Sequence, residues 1–295
     1  MELPTLRQLE YVVAVADTLS FSRAAERCSV SQPGLSSQIR QIETNLNLRL
    51  FERDHMGVQV TTAGREIARM GRIVLTEADR LMDTARSLQA PLTGTIRLGV
   101  IPTIAPYLLP TLLPRVKLRY PQLKLYLLEG RTADIMHRMR EGTLDLVLLD
   151  LDAPLGACQT LHVLEDAFSV LVPNDHPLAQ KTAVRQEDPP GGAVLLLEDG
   201  HRLKDRALDV CKPGEVHELG DFRAASLNTL LRMVEQGLGV TLIPEMACSR
   251  ELQGATAVTL IPFETPAPSR RVGLAWRENS PRSEEFHLLG DLLAD

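Results

Sequence analysis

The sequence predicts an α/β protein in two parts: a helical N-terminal unit continued by one long helix, and a larger remainder in which strands and helices alternate. Three observations carry this. Apolar residues recur with helical spacing up to about residue 90; one polar ribbon interrupts them; and beyond that point runs rich in Leu, Ile and Val alternate with amphipathic segments. A length of 295 residues suits about two domains, and 44% hydrophobic with 24% charged residues marks a globular chain, not a disordered or fibrous one. The formal net charge of −6 speaks against a nucleic-acid partner, because phosphate binding usually draws on a basic surface.

The first helix runs from Leu6 to Thr18, with Leu6, Leu9, Val12, Val13 and Ala16 on one face. Ser22 is the expected cap of a short second helix that packs Ala24, Ala25 and Cys28, and Ser29-Val30-Ser31 makes a turn. Ser31 caps a third helix that tolerates Pro33 in its first turn and turns Leu35, Ile39, Ile42 and Leu46 to the core. The opposite face carries Gln32, Ser36, Ser37 and Arg40: short hydrogen-bonding side chains that permit close approach, and an Arg suited to phosphate or guanine. This is the division of faces that a helix entering the DNA major groove requires. The following segment, LRLFERDHMGVQVTTAG, reads as strand, turn and strand, a wing with Arg53 at its tip and Gly57 in the bend.

From Thr61 to Gln89 one helical pattern continues without Pro and stops at Ala90-Pro91. Ile67, Val74, Leu81 and Leu88 repeat every seven residues, with Gly71, Ala78 and Ala85 as a second, small seam. That pattern suits either tight antiparallel pairing of two such helices or packing on the helix's own domain. Two-fold pairing would set two recognition helices on half-sites of a dyad-symmetric operator. Strands are then expected at TIRLGVI, LKLYLLE, LDLVLLD, AFSVLVP, GAVLLLE, GVTLIPE and RVGLAWR, and amphipathic segments at PYLLPTLLPRVKLRY and TADIMHRMREG. Ligands in such sheets bind beyond the strand ends, at helix N-termini, which draws attention to Thr103, Thr132, the group His201, Arg202 and Asp205, and Ser226. Thr132 and Ser226 are also the expected caps of their helices, and Gly237 and Gly239 end the one that Ser226 begins.

The four cysteines, Cys28, Cys158, Cys211 and Cys248, form no CxxC pair, so neither a structural zinc nor another metal or cofactor is expected. No nucleophile elbow, P-loop or dinucleotide fingerprint points to an enzyme. The N-terminus has no signal-peptide character, and no apolar run reaches membrane-spanning length, so a cytoplasmic protein away from membranes is expected.

The segment LRQLEYVVAVADTLSFSRAAERCSVSQPGLSSQIRQIETNLNLRLFER resembles, almost position by position, the winged helix-turn-helix of the LysR family of bacterial transcriptional regulators. The resemblance implies a long linker helix and a two-lobed, periplasmic-binding-protein-like α/β regulatory domain, assembled as a homodimer or homotetramer on a double-stranded DNA operator, with RNA polymerase as a further partner for an activator. By the same resemblance Gln32, Pro33, Ser36 and Ser37 lie at or near base edges, and Arg53 on the backbone or minor groove. The wing tip Asp54-His55-Met56-Gly57 departs from relatives, which usually carry more basic residues there.

The segments VIPTIAPYLLPTLLP, LLLEDGHRLKDRALDVC, DFRAASLNTLLRMVEQGLGVTLIPE and PAPSRRVGLAWR are similar to the peroxide-sensing OxyR branch of that family. The similarity places Thr103, Thr132, His201, Asp205 and Arg270 or Arg271 around the branch's reactive cysteine, but Arg202 stands where that cysteine belongs, although the resolving partner is retained as Cys211. A guanidinium cannot perform thiolate chemistry. Arg202 therefore either binds a small anionic effector at its helix N-terminus or makes an ion pair with Glu198 or Asp205. The resulting expectation is a DNA-binding domain over 1–60, a linker helix over 61–90 and a regulatory domain over 93–295, with lobe I formed by 93–163 and 268–295 and lobe II by 164–267. The alternative is a two-lobed anion-binding protein without a regulatory DNA role.

Position resolves the charge objection. Residues 1–90 hold 11 Arg, no Lys and 11 acids, so the whole net charge of −6 belongs to the remainder.

Overall fold

A computed structural model describes residues 3–54, 57–87, 91–186, 188, 193–198, 217–218 and 224–294. The chain divides into two compact units, Met1–Arg86 and Ser87–Asp295.

In the first unit, helix α1 (Leu6–Thr18) starts at a capping box: the Thr5 hydroxyl accepts the Gln8 N–H, and the Gln8 side chain accepts the Thr5 N–H. Helix α2 (Phe21–Arg27) is capped by Ser20, whose hydroxyl accepts the Arg23 N–H, not by Ser22 as expected. The core decides this: Phe21 is buried and must be inside the helix, which leaves Ser22 exposed in its first turn. Helix α3 (Gln32–Leu46) begins at Ser31, which accepts the Gly34 N–H, and ends on left-handed Asn47. Leu35, Ile39 and Ile42 meet Leu9, Val12, Phe21 and Ala24 in one core. Strands β1 (Phe51–Asp54) and β2 (Gly57–Val60) pair antiparallel as the wing.

Helix α4 (Thr62–Ser87) places Ala68, Ile67 and Leu75 on the same core. Gly71 faces α1 of its own chain: a Cβ there would meet Val13 and Leu9 at 3.5 and 3.6 Å. The start of the small seam therefore serves a contact within the domain, and Met70, Val74, Leu81 and Met82 form the exposed apolar stripe. Ile67, the first large residue of the heptad, belongs to the core; Leu88 lies outside the described residues.

The second unit continues with β3 (Gly94–Val100), α5 (Ala105–Arg119), β4 (Leu123–Glu129), α6 (Thr132–Arg140), β5 (Leu146–Asp150) and β6 (Gln159–Pro173). It is completed by β7 (Ala193–Val194), β8 (His217–Glu218), α7 (Leu227–Glu235), β9 (Thr241–Pro244), α8 (Glu245–Glu251), β10 (Val258–Pro262), β11 (Ser269–Trp276) and α9 (Ser283–Ala294). The sheet order is β10-β6-β11-β5-β3-β4, with β9 also on β6. Helix α5 forms despite Pro110 and Pro114, which lie four apart on its exposed face; of the carbonyls they leave without a helical partner, that of Pro106 accepts from Arg250.

Several elements differ from expectation, among them the strand expected at GAVLLLE, which is reduced to the two residues of β7 and pairs with β8, a strand outside those expected. The strand expected at AFSVLVP begins at Gln159; its first part pairs with β11 and its last part, from Phe168, with β9 and β10, so one continuous strand serves three hydrophobic clusters. Strand β10 and helix α9 were not anticipated. Helix α9 closes the first core, where the Glu285 carboxylate accepts the Leu92 N–H at 2.8 Å and holds the Arg282 guanidinium, which in turn donates to the carbonyls of Thr93 and Thr95.

Gly273 sits at a register shift between β11 and β6. A Cβ there would lie 2.3 Å from the Leu161 carbonyl oxygen and 2.6 Å from Leu151 Cδ1. Gly273→Ala is expected to destabilise this unit by about 1–3 kcal/mol, read by urea unfolding through the fluorescence of Trp276, the single tryptophan.

Candidate nucleic-acid interface and effector cleft

Capping by Ser31 and burial of Leu35, Ile39 and Ile42 fix how α3 is rotated about its axis. Gln32, Pro33, Ser37 and Arg40 are exposed as a result. Ser36 is not: only 7% of it is accessible, because it follows Leu35 on the border of the apolar stripe. Two further contacts hold this surface. Gln8 donates to the Gln38 side-chain oxygen, tying α1 to α3, and Glu43 Oε1 accepts the N–H groups of Leu50 and Phe51 at 2.7 and 3.2 Å, tying α3 to the wing. Neither Gln38 nor Glu43 stood out in the sequence, since their partners lie on other elements. Arg53 lies in β1 opposite Val58, one step before the wing's closing pair; His55 lies outside the described residues.

Acids neutralise much of the basic charge of this unit. Asp17, at the end of α1, pairs with Arg27 at 3.0 Å and also with Arg72 of α4; Glu10 pairs with Arg7 at 3.1 Å and Glu66 with Arg69 at 2.8 Å. Arg23 donates to the Thr18 carbonyl and Arg65 to the Val60 carbonyl.

In the second unit the sequence singled out four strand-end junctions. Thr103, before α5, is buried, and its hydroxyl and carbonyl oxygens each accept from Arg270 at 2.9 Å. Arg270, which is 1% exposed, also donates through Nε to Asp166 Oδ2 at 2.9 Å, while Asp166 Oδ1 accepts the Met246 N–H at 3.0 Å. Arg270 and Asp166 are register partners on β11 and β6. Between the two candidates for the cleft arginine, Arg270 is thus the buried one; Arg271 is exposed and pairs with Asp152, which raises its already high pKa. Thr103 contributes to a buried cluster at the crossing strands.

Thr132 is the first residue of α6, not its cap; Arg131 occupies the cap position, and no side chain accepts from the first turn. Arg131 pairs with Glu198, one of the two acids considered for Arg202. Ser226 does cap α7, accepting the Thr229 N–H at 3.2 Å, and Gly237 ends that helix with φ +73°. His201, Arg202, Asp205 and Cys211 lie outside the described residues.

The cores on either side of the crossing strands interlock. Tyr107 of α5 packs against the core of α7 and α8, and Met246 of α8 packs against the core of α5 and β3. The Tyr107 hydroxyl donates to Glu251 at 2.8 Å, Asn228 donates to the same carboxylate at 3.0 Å, and Arg250 donates to the Pro106 carbonyl. Burial, with the Glu251 carboxylate beside it, keeps the Tyr107 phenol protonated at any ordinary pH. Burial also raises the thiol pKa of Cys28 and Cys158, and pushes that of Cys248 to about 11 with help from Asp166 and Glu245. Those thiols are poor nucleophiles at neutral pH. Among the described residues no group of ligating side chains could hold a metal ion.

Arg270→Met would leave the Asp166 charge buried opposite a hydrocarbon. A loss of about 3–5 kcal/mol is expected in urea unfolding followed at Trp276; a loss under about 1 kcal/mol would show that water reaches the pair.

Comparison with known proteins agrees with this architecture. A family model described as LysR substrate binding domain matches residues 89–295, and one described as bacterial regulatory helix-turn-helix protein, lysR family, matches residues 6–65. The DNA-binding transcriptional dual regulator OxyR of Escherichia coli K12 is 36% identical over 288 residues, covering 98% of this chain and 94% of its own. The regulator EstR of Acinetobacter baylyi is 36% identical over 291 residues, covering 99% and 96%. A full-length OxyR from Pseudomonas aeruginosa bearing a cysteine-to-aspartate substitution superposes with a TM-score of 0.75 at 33% identity, covering 99% of this chain and 98% of that one. OxyR of Corynebacterium glutamicum, with a cysteine-to-serine substitution and hydrogen peroxide bound, gives 0.68 at 33% identity, covering 99% and 92%. The chain belongs to the LysR family of bacterial transcriptional regulators and is OxyR-like along nearly its whole length.

Proposed function

We propose that this regulator reads a dyad-symmetric double-stranded DNA operator through α3 and is controlled from its second unit by a signal other than oxidation of a thiol at position 202. The observation that carries the first half is the exposed polar face of α3, held in place by the Ser31 cap and the buried Leu35, Ile39 and Ile42. Gln32, Pro33 and Ser37 meet base edges, Arg40 and Arg53 meet the backbone, and Ser36 sets the packing of the helix behind them. The exposed Met70, Val74 and Leu81 of α4 pair with a second copy, which supplies the two-fold axis; the working unit is a homodimer or a homotetramer. The protein acts in the cytoplasm by binding, not catalysis, with RNA polymerase as a partner where it activates. The division into 1–60, 61–90 and 93–295, with chain exchange between the lobes near 164 and 267, is the working domain map.

For the sensor, Arg202 replaces the cysteine that thiol chemistry needs, and the described thiols Cys158 and Cys248 are held protonated. A small anion near Thr132 and the segment of His201, Arg202 and Asp205 is the effector class that suits a helix start without a side-chain cap. Thr103 and Ser226 support this site structurally, through Arg270 and α7.

Gln32→Ala is expected to relax selectivity at one base pair by about 1–3 kcal/mol in gel-shift titration against an operator selected from random duplexes; equal loss on the selected and a scrambled duplex would refute base contact. On treatment with hydrogen peroxide at neutral pH, thiol mapping by mass spectrometry should find Cys158 and Cys248 reduced. A rapid disulfide from Cys211 to either of them, with an altered DNA footprint, would overturn the reading of the sensor.

A further inference from the structure

The arginines of the N-terminal unit are not equivalent. Arg7, Arg27, Arg69 and Arg72 are neutralised by carboxylates, and Arg23 and Arg65 donate to carbonyl oxygens of their own domain. Among the described side chains, those of Arg40 and Arg49 have neither kind of partner and both are exposed. They line one groove of about 400 Å³ at the C-terminal end of α3, together with Glu43, Thr44, Asn47 and Leu48.

Several of the other polar groups of that groove are already engaged. The Thr44 hydroxyl donates to the Arg40 carbonyl, and in the last turn of α3 the Glu43 and Thr44 carbonyls accept from the N–H groups of Leu48 and Asn47. The Glu43 carboxylate is committed through Oε1 to the N–H groups of Leu50 and Phe51. Both guanidiniums remain as donors without a protein partner, as does the Asn47 amide, and with two guanidiniums to one carboxylate the groove carries a net positive charge.

We propose that Arg40 and Arg49 clamp a single DNA backbone phosphate between them, a contact independent of sequence that seats the far end of α3. The proposal rests on the DNA-binding reading above and adds Arg49 to it, on the segment between α3 and β1. The placement suits a phosphate and not a base edge: the first turns of a recognition helix reach the bases, and its far end meets the backbone. Two planar forks in one groove match the several oxygens of one phosphate group.

The test uses the full-length protein and a mixed-sequence duplex, with affinity measured by fluorescence anisotropy over a range of salt concentrations. One neutralised phosphate contributes about 0.9 to the slope of log affinity against log salt. The double variant Arg40→Ala/Arg49→Ala should lower the wild-type slope by about 0.9, since one phosphate is lost, and Arg49→Ala should weaken binding to the mixed-sequence duplex and to a selected operator by the same factor. Arg69→Ala, which removes an arginine already paired with Glu66, should leave the slope unchanged. Circular dichroism checks that each variant is folded. An unchanged slope in the double variant overturns the clamp, and so does a fall of about 1.8, which would assign the two arginines to separate phosphates. If the wild-type protein itself binds no duplex, the DNA-binding reading fails first, and that result is visible before any substitution is made.

Discussion

The buried pairing of Arg270 with Asp166 sets the terms for the second unit. Removing two charges from water costs several kcal/mol per ion, a cost offset only where geometry and further hydrogen bonds satisfy the groups. Here they do: Thr103 supplies two acceptors to the guanidinium, and the Met246 N–H covers the second carboxylate oxygen. The four groups come from β11, β6, the entry to α5 and the start of α8, so the pair is complete only when parts of both lobes are in place. The exchange of Tyr107 and Met246 between the two cores acts in the same direction. A lobe motion that parted α5 from α8 would expose a charged pair and two apolar side chains together, which confines easy movement to regions away from this seam.

Local rules recovered much of the first unit. The periodicity of α1 and α3, the Ser31 cap and the strand–turn–strand wing depend on residues within a few positions of each other, as does the Ser226 cap in the second unit. The cap of α2 was misplaced by two residues because Ser20 and Ser22 are equally good acceptors, and only the burial of Phe21 chooses between them. In the second unit, β6 looked half its length because its first part carries His162, Glu165 and Asp166 among its apolar residues. Those residues belong in a strand because β11, more than a hundred positions away, pairs with them.

The candidate sites show the same division. Side-chain type placed Gln32, Ser36, Ser37 and Arg40 on one polar face, but Ser36 lies at the edge of the apolar stripe and is covered. The pattern around the small residue Gly71 suits either a second helix or the helix's own domain, and α1 of the same chain takes that place. Thr103 stands out at a strand end, yet its partner Arg270 lies 167 positions further on, and no spacing rule could show that the two are bonded. Counting charges gave a neutral N-terminal unit; which arginines are cancelled depends on pairs such as Asp17 with Arg72, 55 positions apart.

That internal cancellation has a kinetic side. Opposite charges within a few ångströms of one another produce almost no field beyond the Debye length, about 10 Å at 0.1 M salt. The second unit carries the excess acid, which repels a polyanion. Such a charge distribution gives little long-range attraction toward a polyanion, and charges left uncancelled act at short range. Weak long-range attraction of this kind disfavours non-specific binding to DNA, which is almost wholly electrostatic.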